Sequence, residues 1–231
     1  MTSGPSPEEV TRLYLVRHGE TDGNASGRTQ GRRDVPLNDT GRAQAAAAGA
    51  VVAALRPSAV YASPSSRARE TAAAIASPLG LEIIVDERLS EVDHGDLDGM
   101  TGEEMRERYA AFIASWREDS GVDVPIPGGE SLRQAQGRMV AAAREIVDRH
   151  RGQAIAVVSH NLALRTLLCH ALGVPLSAWR GFRVDLASLS VVEVRDGDRC
   201  AVVGLNERCH LTEAAPPPIE AASAPAEGQS G

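Results

Sequence analysis

The sequence contains no lysine, because all 24 of its lysine-or-arginine positions are arginines. This absence excludes Schiff-base chemistry, pyridoxal phosphate attachment and a lysine-dependent nucleotide P-loop. Aromatic residues make up only 3% of the chain, so few side chains can stack on nucleic-acid bases. With 31 acidic residues the formal net charge is −7, which also disfavours a nucleic-acid partner.

Cysteines are few, and Cys169, Cys200 and Cys209 form no CxxC pattern. An odd number of widely spaced cysteines is typical of a reducing compartment, and it offers neither a disulfide framework nor a zinc site. No apolar run reaches the roughly 18–20 residues that cross a bilayer, and the amino terminus lacks the pattern of a signal peptide. We therefore expect a cytoplasmic protein without a membrane partner and without a bound metal.

The composition is that of a globular domain with a polar segment at each end. Hydrophobic residues make up 42% of the chain and charged residues 24%. Residues 1–10 are mainly small and polar, and residues 213–231 are rich in proline, alanine and glutamate, so we expect both segments to be disordered tails. The sequence between them, residues 11–212, is expected to form one domain.

Short apolar runs alternate with longer helical patterns within this domain. The alternation predicts an α/β fold, a three-layer α/β/α sandwich around a mostly parallel central sheet. The expected helices start at capping residues and end near glycine or proline. Strands are predicted at 13–16, 59–62, 81–85, 154–158, 189–194 and 201–205, with a turn at 196–198 between the last two, and helices at 38–57, 66–77, 131–147 and 161–172.

Polar side chains follow four of the predicted strands. Arg17 and His18 come directly after the first strand, Arg67 follows the second, and His160 follows the fourth. Open α/β sheets bind ligands at the carboxyl ends of their strands, and arginine has a planar fork suited to two phosphoryl oxygens. An acid, Glu91, follows the third strand, although Glu87, Asp93 and Asp96 compete with it on composition alone. These residues indicate a phosphoryl-transfer site that needs neither lysine nor metal.

Two of the predicted helices begin beside these strand ends, at Ser66 and at Asn161. Helix N termini carry unpaired N–H groups and the positive end of the helix dipole. We therefore expect both helix starts to favour a bound phosphate.

The heptapeptide Leu15-Val16-Arg17-His18-Gly19-Glu20-Thr21 resembles the signature of the histidine phosphatase superfamily, also called phosphoglycerate-mutase-like. The similarity extends in the family's order and spacing over roughly residues 12–210, and it implies the family's fold. It continues through residues 34–37 with Gly41, and through 61–71, 89–99, 128–131 and 157–160.

The resemblance implies a role for each matched residue. His18 corresponds to the nucleophile that becomes phosphorylated, and Arg17, Arg67 and His160 to the pocket around the phosphoryl group. Glu91 corresponds to the proton donor. An attacking imidazole needs one unprotonated nitrogen, and the flanking arginines are expected to keep His18 neutral near pH 7. No cofactor is implied.

Four further residues are candidates for binding the substrate. Asn24 matches a family position that often contacts the phosphate, and Gly31 matches one that lines the substrate end. Arg32 belongs to the same donor-rich loop. Asn161 departs from the family, since many relatives have glycine after the second histidine, and its side chain is expected to narrow the mouth of the site or add a hydrogen bond.

The leading hypothesis is a metal-independent phosphomonoesterase that acts on small phosphorylated metabolites through a phosphohistidine on His18. The alternative is a 2,3-bisphosphoglycerate-dependent phosphoglycerate mutase, although the segment 99–128 is shorter than such mutases usually have. A third hypothesis is a non-catalytic module that binds a phospholigand. Homodimers are common among relatives, so a homodimer is also an expectation from the resemblance.

Overall fold

The computed structural model describes residues 10–195 and 199–211, and it contains one six-stranded sheet. The strand order is β3-β2-β4-β1-β5-β6, in which the first four strands are parallel and β5 runs antiparallel to both of its neighbours. The predicted mostly parallel sheet is thus confirmed. The strands are β1 (Thr11–Arg17), β2 (Ala59–Ala62), β3 (Ile83–Val85), β4 (Ala154–Ser159), β5 (Leu189–Arg195) and β6 (Arg199–Glu207).

Helices cover both faces of the sheet. In β1, Leu15 packs in a cluster with Met139 and Leu164, which lie on two helices at one face of the sheet. Its neighbour Val16 points to the opposite face and packs in a cluster with Val52, which lies on another helix. The three-layer prediction is therefore confirmed. The α-helices are α1 (Asp22–Ala25), α2 (Asp39–Ala54), α3 (Ser66–Ala76), α4 (Gly102–Arg108), α5 (Ala110–Arg117), α6 (Leu132–Arg149) and α7 (Asn161–Leu172), and short 3-10 turns span Ser77–Leu79, Glu87–Leu89, Gly95–Leu97, Asp119–Asp123 and Leu176–Gly181.

The predicted caps determine where the long helices begin. The Asn38 side chain accepts a hydrogen bond of 2.8 Å from the Gly41 N–H at the start of α2. Ser131 and Gln134 form the expected capping box of α6. The α2 helix ends at Ala54, earlier than predicted, and Arg56 adopts a positive φ of 52° before the proline.

Strand β3 is shorter than predicted, since it begins at Ile83 rather than at residue 81. The predicted turn at 196–198 lies outside the described residues, and so do both predicted tails except for Val10, whose side chain is buried. Among the helices that the structure describes, none combines the length and the hydropathy needed to cross a bilayer.

A third apolar cluster lies beside the start of α7. It joins Leu162 of α7 to Val92 and Trp179, and Trp116 of α5 packs against it. The ring centroids of Trp116 and Trp179 are 5.6 Å apart. Together with the side chains packed against it, this cluster includes five of the seven aromatic residues of the protein.

Candidate active site

The sheet brings the two predicted site histidines together. In the parallel register of β1 and β4, Arg17 lies opposite Ser159, so the residues that follow each strand, His18 and His160, emerge side by side. Their ring centroids are 5.1 Å apart at an angle of 61°. Both rings are buried. The strand register alone therefore accounts for this pair.

His18 has the protonation pattern that a nucleophile requires. Its Nδ1 lies 2.7 Å from the carbonyl oxygen of Gly19, which can only accept, so Nδ1 carries the proton and Nε2 is left with a lone pair. Burial, followed by the charges of Arg17 and Arg67, holds the pKa of His18 well below its ordinary value. The two arginines lower the pKa of His18 as expected, but burial contributes more to the lowering.

Gly19 fixes the path of the chain after the nucleophile. A Cβ atom at this position would lie 2.4 Å from the carbonyl oxygen of Gly41, near the start of α2. Any larger residue would therefore push the loop away from the helix and displace the carbonyl that orients His18. This close approach explains why Gly19 and Gly41 occur together in the sequence pattern.

Arg67 is fully buried on α3 and connects that helix to the loop after α1. Its Nη1 donates to the carbonyl of Arg33 at 2.9 Å, and its Nη2 donates to that of Gly31 at 3.0 Å. Nε is buried without a hydrogen-bond partner. Burial lowers the pKa of Arg67, while Glu91 and Asp34 oppose that shift. The guanidinium remains charged, and its unused donor suits an anion.

Arg17, the residue before His18, is held in a similar way. Its Nη1 donates to the carbonyl of Val184 at 2.8 Å, and its Nε is buried and unpartnered. Burial lowers the pKa of Arg17 to about 10, with Glu91 the largest opposing influence. Two arginines that bind backbone carbonyls thus add positive charge near His18.

His160 is also kept neutral, and it is held by a residue that the sequence reasoning missed. Its Nε2 shares a hydrogen bond of 2.7 Å with the hydroxyl of Ser63, which follows β2. Burial, followed by the charge of Arg67, holds the pKa of His160 well below its ordinary value. Nδ1 is buried with no partner. The position of Ser63 directly after a strand was the signal that could have identified it.

The expectation that the starts of α3 and α7 bind phosphate is wrong, because carboxylates of the protein occupy them. The N–H and hydroxyl of Ser66 both donate to Asp34 at 2.7 Å. At α7, the N–H groups of Leu162 and Ala163 donate to Glu91 at 3.2 and 2.9 Å. The positive end of a helix stabilises a side-chain carboxylate as readily as a ligand. The α7 start therefore orients the predicted acid instead.

An ion pair that the sequence reasoning missed fixes the backbone of this acid. Nη1 of Arg138, on α6, donates to the carbonyls of Arg88 and Ser90 at 2.7 Å each, and Nη2 donates to that of Glu91 at 3.0 Å. Arg138 is itself paired with Glu130 at 2.5 Å. Glu130 belongs to the sequence block 128–131, which was its only signal.

All nine predicted site residues line one of two cavities at this edge of the sheet. Asn24, at the larger cavity, accepts a 2.9 Å hydrogen bond from the hydroxyl of Thr21. Arg32, at the smaller one, is half exposed and pairs with Asp93 at 3.2 Å. The larger cavity, of about 410 Å³, is lined by Arg17, His18, Asn24, Glu91 and Asn161, and the smaller one, of about 220 Å³, by Gly31, Arg32, Arg67 and His160.

The comparison with known proteins decides the family. The model of the histidine phosphatase superfamily (branch 1) matches residues 13–208 of this chain. The chain belongs to the histidine phosphatase superfamily. The resemblance seen in the sequence blocks is thereby confirmed, and the fold and the site geometry agree with it.

Several named members of the superfamily are similar over most of their length. Phosphoserine phosphatase 1 of Hydrogenobacter thermophilus is 37% identical over 204 residues, which cover 88% of this chain and 96% of that protein. Phosphoglycerate mutase-like protein 4 of Arabidopsis thaliana is 37% identical over 212 residues, 89% of each chain. The solved structure of Bacillus stearothermophilus YhfR has a TM-score of 0.81 at 34% identity, and covers 87% of this chain and 98% of that one.

This histidine phosphatase has further side chains in the wall of its larger cavity. Arg28, Arg165 and Trp179 line it beside the predicted residues. Arg28 pairs with Glu104 at 3.2 Å. Arg165 and Trp179 belong to no sequence block of the resemblance, so no motif pointed to them. Within the described ranges, 10–195 and 199–211, no group of three or more histidine, cysteine or acidic residues is placed to hold a metal ion.

Proposed function

We propose that this histidine phosphatase is a phosphomonoesterase that hydrolyses small-molecule phosphate esters through a phosphohistidine on His18. The observation that carries the proposal is the unprotonated Nε2 of His18, fixed by the Gly19 carbonyl, in a ring that also experiences the positive charges of the buried Arg67 and the partly buried Arg17. The positive charges that the reaction requires are guanidinium groups, so the proposed chemistry uses no metal or other cofactor.

In the first step, the Nε2 lone pair of His18 attacks the phosphorus atom, and the bond between phosphorus and the ester oxygen breaks. Arg17 and Arg67 stabilise the negative charge that spreads over the phosphoryl oxygens. The carboxyl group of Glu91 gives its proton to the departing alkoxide, which leaves as an alcohol. The neutral ring of His160 donates a hydrogen bond to the phosphoryl group without adding a third positive charge.

In the second step, a water molecule attacks the phosphohistidine, and the bond between phosphorus and Nε2 breaks. The Glu91 carboxylate accepts the proton of this water, which restores the carboxyl group for the next cycle. Inorganic phosphate leaves, and Nε2 regains its lone pair. The backbone donors at the start of α7 hold the carboxyl group in one place through both steps.

The alternative is a 2,3-bisphosphoglycerate-dependent phosphoglycerate mutase, which the similarity to the Arabidopsis protein supports. A mutase would use the same phosphohistidine but transfer the phosphoryl group to a second hydroxyl instead of to water. The two activities differ in product, so one pair of assays distinguishes them.

The test measures phosphate release from a panel of small phosphate monoesters in EDTA, beside a coupled assay for isomerisation of 3-phosphoglycerate with and without 2,3-bisphosphoglycerate. We expect hydrolysis to exceed isomerisation and to be unaffected by EDTA. Isomerisation faster than hydrolysis would favour the mutase over the phosphatase. Loss of activity in EDTA would contradict the metal-free mechanism.

The role of His18 is tested by quenching turnover of the wild type and of His18→Asn in alkaline denaturant, in which a phosphohistidine survives, and then exposing the trapped protein to acid. We expect an acid-labile phosphoryl group only on the wild type, and at least a 10³-fold loss of turnover in the variant. The matched control is His150→Gln, since His150 hydrogen-bonds Tyr61 at 3.0 Å outside the site. Near-normal activity of His18→Asn would exclude the mechanism, and absence of both phosphoenzyme and turnover from the wild type would leave the non-catalytic phospholigand module.

We also propose that the substrate is a small phosphorylated metabolite of the cytoplasm, where the odd number of cysteines fits a reducing environment. Cell fractionation tests this location. The homodimer suggested by the family remains a prediction, which sedimentation of the purified protein checks.

A further inference from the structure

Arg165, on α7, has an unused donor in the wall of the larger cavity. It lines the cavity together with His18 and Glu91. Its guanidinium lies over the ring of Trp179, 5.0 Å from the centroid, and one terminal nitrogen donates to the carbonyl of Phe182. Its Nε is buried without a hydrogen-bond partner. The aromatic ring and the carbonyl thus hold the group in place while part of its donor capacity remains free.

The charge of Arg165 is poorly compensated inside the described part of the chain. No carboxylate there forms an ion pair with it, whereas the nearby Arg28 and Arg32 are paired with Glu104 and Asp93. Arg180 and Arg183 add further positive charge beside it. Glu91 contributes attraction from a distance, but its oxygens accept hydrogen bonds from the start of α7. The surroundings therefore favour an additional anion at this wall.

Trp179 supplies a second unused donor in the same wall. Its side chain is more than nine-tenths buried, with an exposed fraction of 8%, and it lines the same cavity as Arg165. The indole Nε1 has no hydrogen-bond partner. A buried indole N–H usually finds an acceptor, so its position beside an uncompensated guanidinium indicates that a ligand supplies one.

We propose that Arg165 and Trp179 form a subsite for a carboxylate on the alcohol portion of the substrate. This inference rests on the proposed phosphatase function and narrows its substrate class. Arg17 and Arg67 supply two positive charges for the doubly charged phosphoryl group, whereas Arg165 supplies one, which matches the single charge of a carboxylate. The unpartnered Nε–H of Arg165 and the unpartnered indole N–H of Trp179 also offer two donors for its two oxygens.

The experiment compares two substrates that differ only in this group. 3-Phosphoglycerate has a carboxylate where glycerol 3-phosphate has a hydroxymethyl group, and the rest of the carbon chain is the same. We expect kcat/KM of the wild type to be about thirty-fold higher for 3-phosphoglycerate, as a charge-assisted hydrogen bond provides. Phosphate release is measured for both, so isomerisation does not enter the ratio.

Two variants and two matched controls test whether Arg165 and Trp179 cause the preference for the substrate with a carboxylate. Arg165→Gln is expected to bring the ratio of the two kcat/KM values close to one, and Trp179→Phe, which keeps an aromatic ring, to lower it about threefold. Arg183→Gln removes a neighbouring charge that Asp185 already pairs at 2.9 Å. Trp116→Phe removes an unpartnered indole N–H from the same aromatic cluster but outside the cavity wall. Both controls are expected to keep the wild-type ratio.

The outcomes separate this inference from the proposed function. Hydrolysis of both esters at similar kcat/KM by the wild type would overturn the carboxylate subsite and leave the phosphatase intact. A ratio unchanged in both Arg165→Gln and Trp179→Phe would also overturn it. If the wild type hydrolyses neither ester, calorimetric binding of both decides. Binding that requires the carboxylate and Arg165 would then support the subsite without the phosphatase, and equal or absent binding would overturn it. Circular dichroism of each variant shows that it is folded, and Trp179→Phe keeps the test open if Arg165→Gln is not.

Discussion

Two groups of side chains at the same edge of the sheet are held in different ways. The phosphoryl pocket, formed by Arg17, His18, Arg67 and His160, is anchored to strand ends and to backbone carbonyls. The rim, formed by Arg28, Arg32 and Arg165, also depends on side chains, namely two carboxylates and an aromatic ring, in addition to the backbone carbonyls that Arg28 and Arg165 contact. Backbone anchors fix the phosphate chemistry that the superfamily shares. Side-chain anchors can change without disturbing the sheet. We therefore expect the rim to determine the specificity for the alcohol portion of the substrate.

The largest effect is expected from a variant that breaks the backbone contacts of the phosphoryl pocket. Arg67→Lys replaces the two terminal nitrogens that donate separately to the carbonyls of Gly31 and Arg33 by a single ammonium group, and it loses the planar fork for phosphate. We expect kcat/KM for every phosphate ester to fall about 10²–10³-fold. The control is Arg69→Lys on the exposed side of the same helix. A fall of less than tenfold would show that a point charge suffices and that the carbonyl contacts are incidental.

The next effect concerns Arg138, a positioning residue for Glu91. In Arg138→Gln, the carbonyls of Ser90 and Glu91 lose their donor and the acid moves. We expect kcat to fall about thirty-fold for an alkyl phosphate and much less for 4-nitrophenyl phosphate, whose leaving group needs no proton. KM should change little.

The control for this variant is Arg133→Gln, which removes an exposed arginine of the same helix that pairs with Asp123. An equal loss on both substrates in Arg138→Gln would point to general structural damage instead of misplacement of the acid.

The third effect is on the pH dependence of the free energy of unfolding, which tests whether His160 is buried as a neutral ring. Because the pKa of His160 lies well below its ordinary value, the unfolded chain binds a proton below about pH 6.5 that the folded chain excludes. The free energy of unfolding therefore falls as the pH is lowered from about 6.5 towards the folded pKa, by about 1.4 kcal/mol per pH unit for one such histidine. His160→Gln should remove this contribution. Urea unfolding at pH 7, 6 and 5 measures the slope, and equal slopes for the two proteins would contradict the burial argument.

The smallest effect is expected for a rim arginine that is already paired. Arg32 is half exposed and bound to Asp93, so Arg32→Gln removes a solvent-screened contact. We expect KM to rise by about threefold or less and kcat to stay unchanged, as steady-state kinetics would show. A tenfold or larger loss would place Arg32 in the phosphoryl pocket and remove the distinction between pocket and rim.

Sequence reasoning was most successful where a residue follows a strand. Parallel pairing of β1 with β4 brings residues at successive strand ends to one edge, so His18 and His160 were identifiable as a pair. It was least successful at helix starts. The N–H groups at the start of α7 were assigned to a phosphate, yet Glu91 takes them from the loop after β3. A sequence pattern can show that a helix start has free N–H donors, but it does not show which acceptor binds them in the folded protein.

The sequence by itself determined the alternation of strands and helices, the caps of the long helices and the chemistry at the strand ends. These features depend on local periodicity and on the fixed geometry of a parallel sheet, which neighbouring residues encode. Only the tertiary structure decided which partners the remaining polar groups find. Arg138 donates to the carbonyl of Glu91, and Arg165 lies over the ring of Trp179, although no regular sequence spacing connects these residues. Such contacts depend on how loops pack over the sheet edge, and that packing is a property of the whole fold.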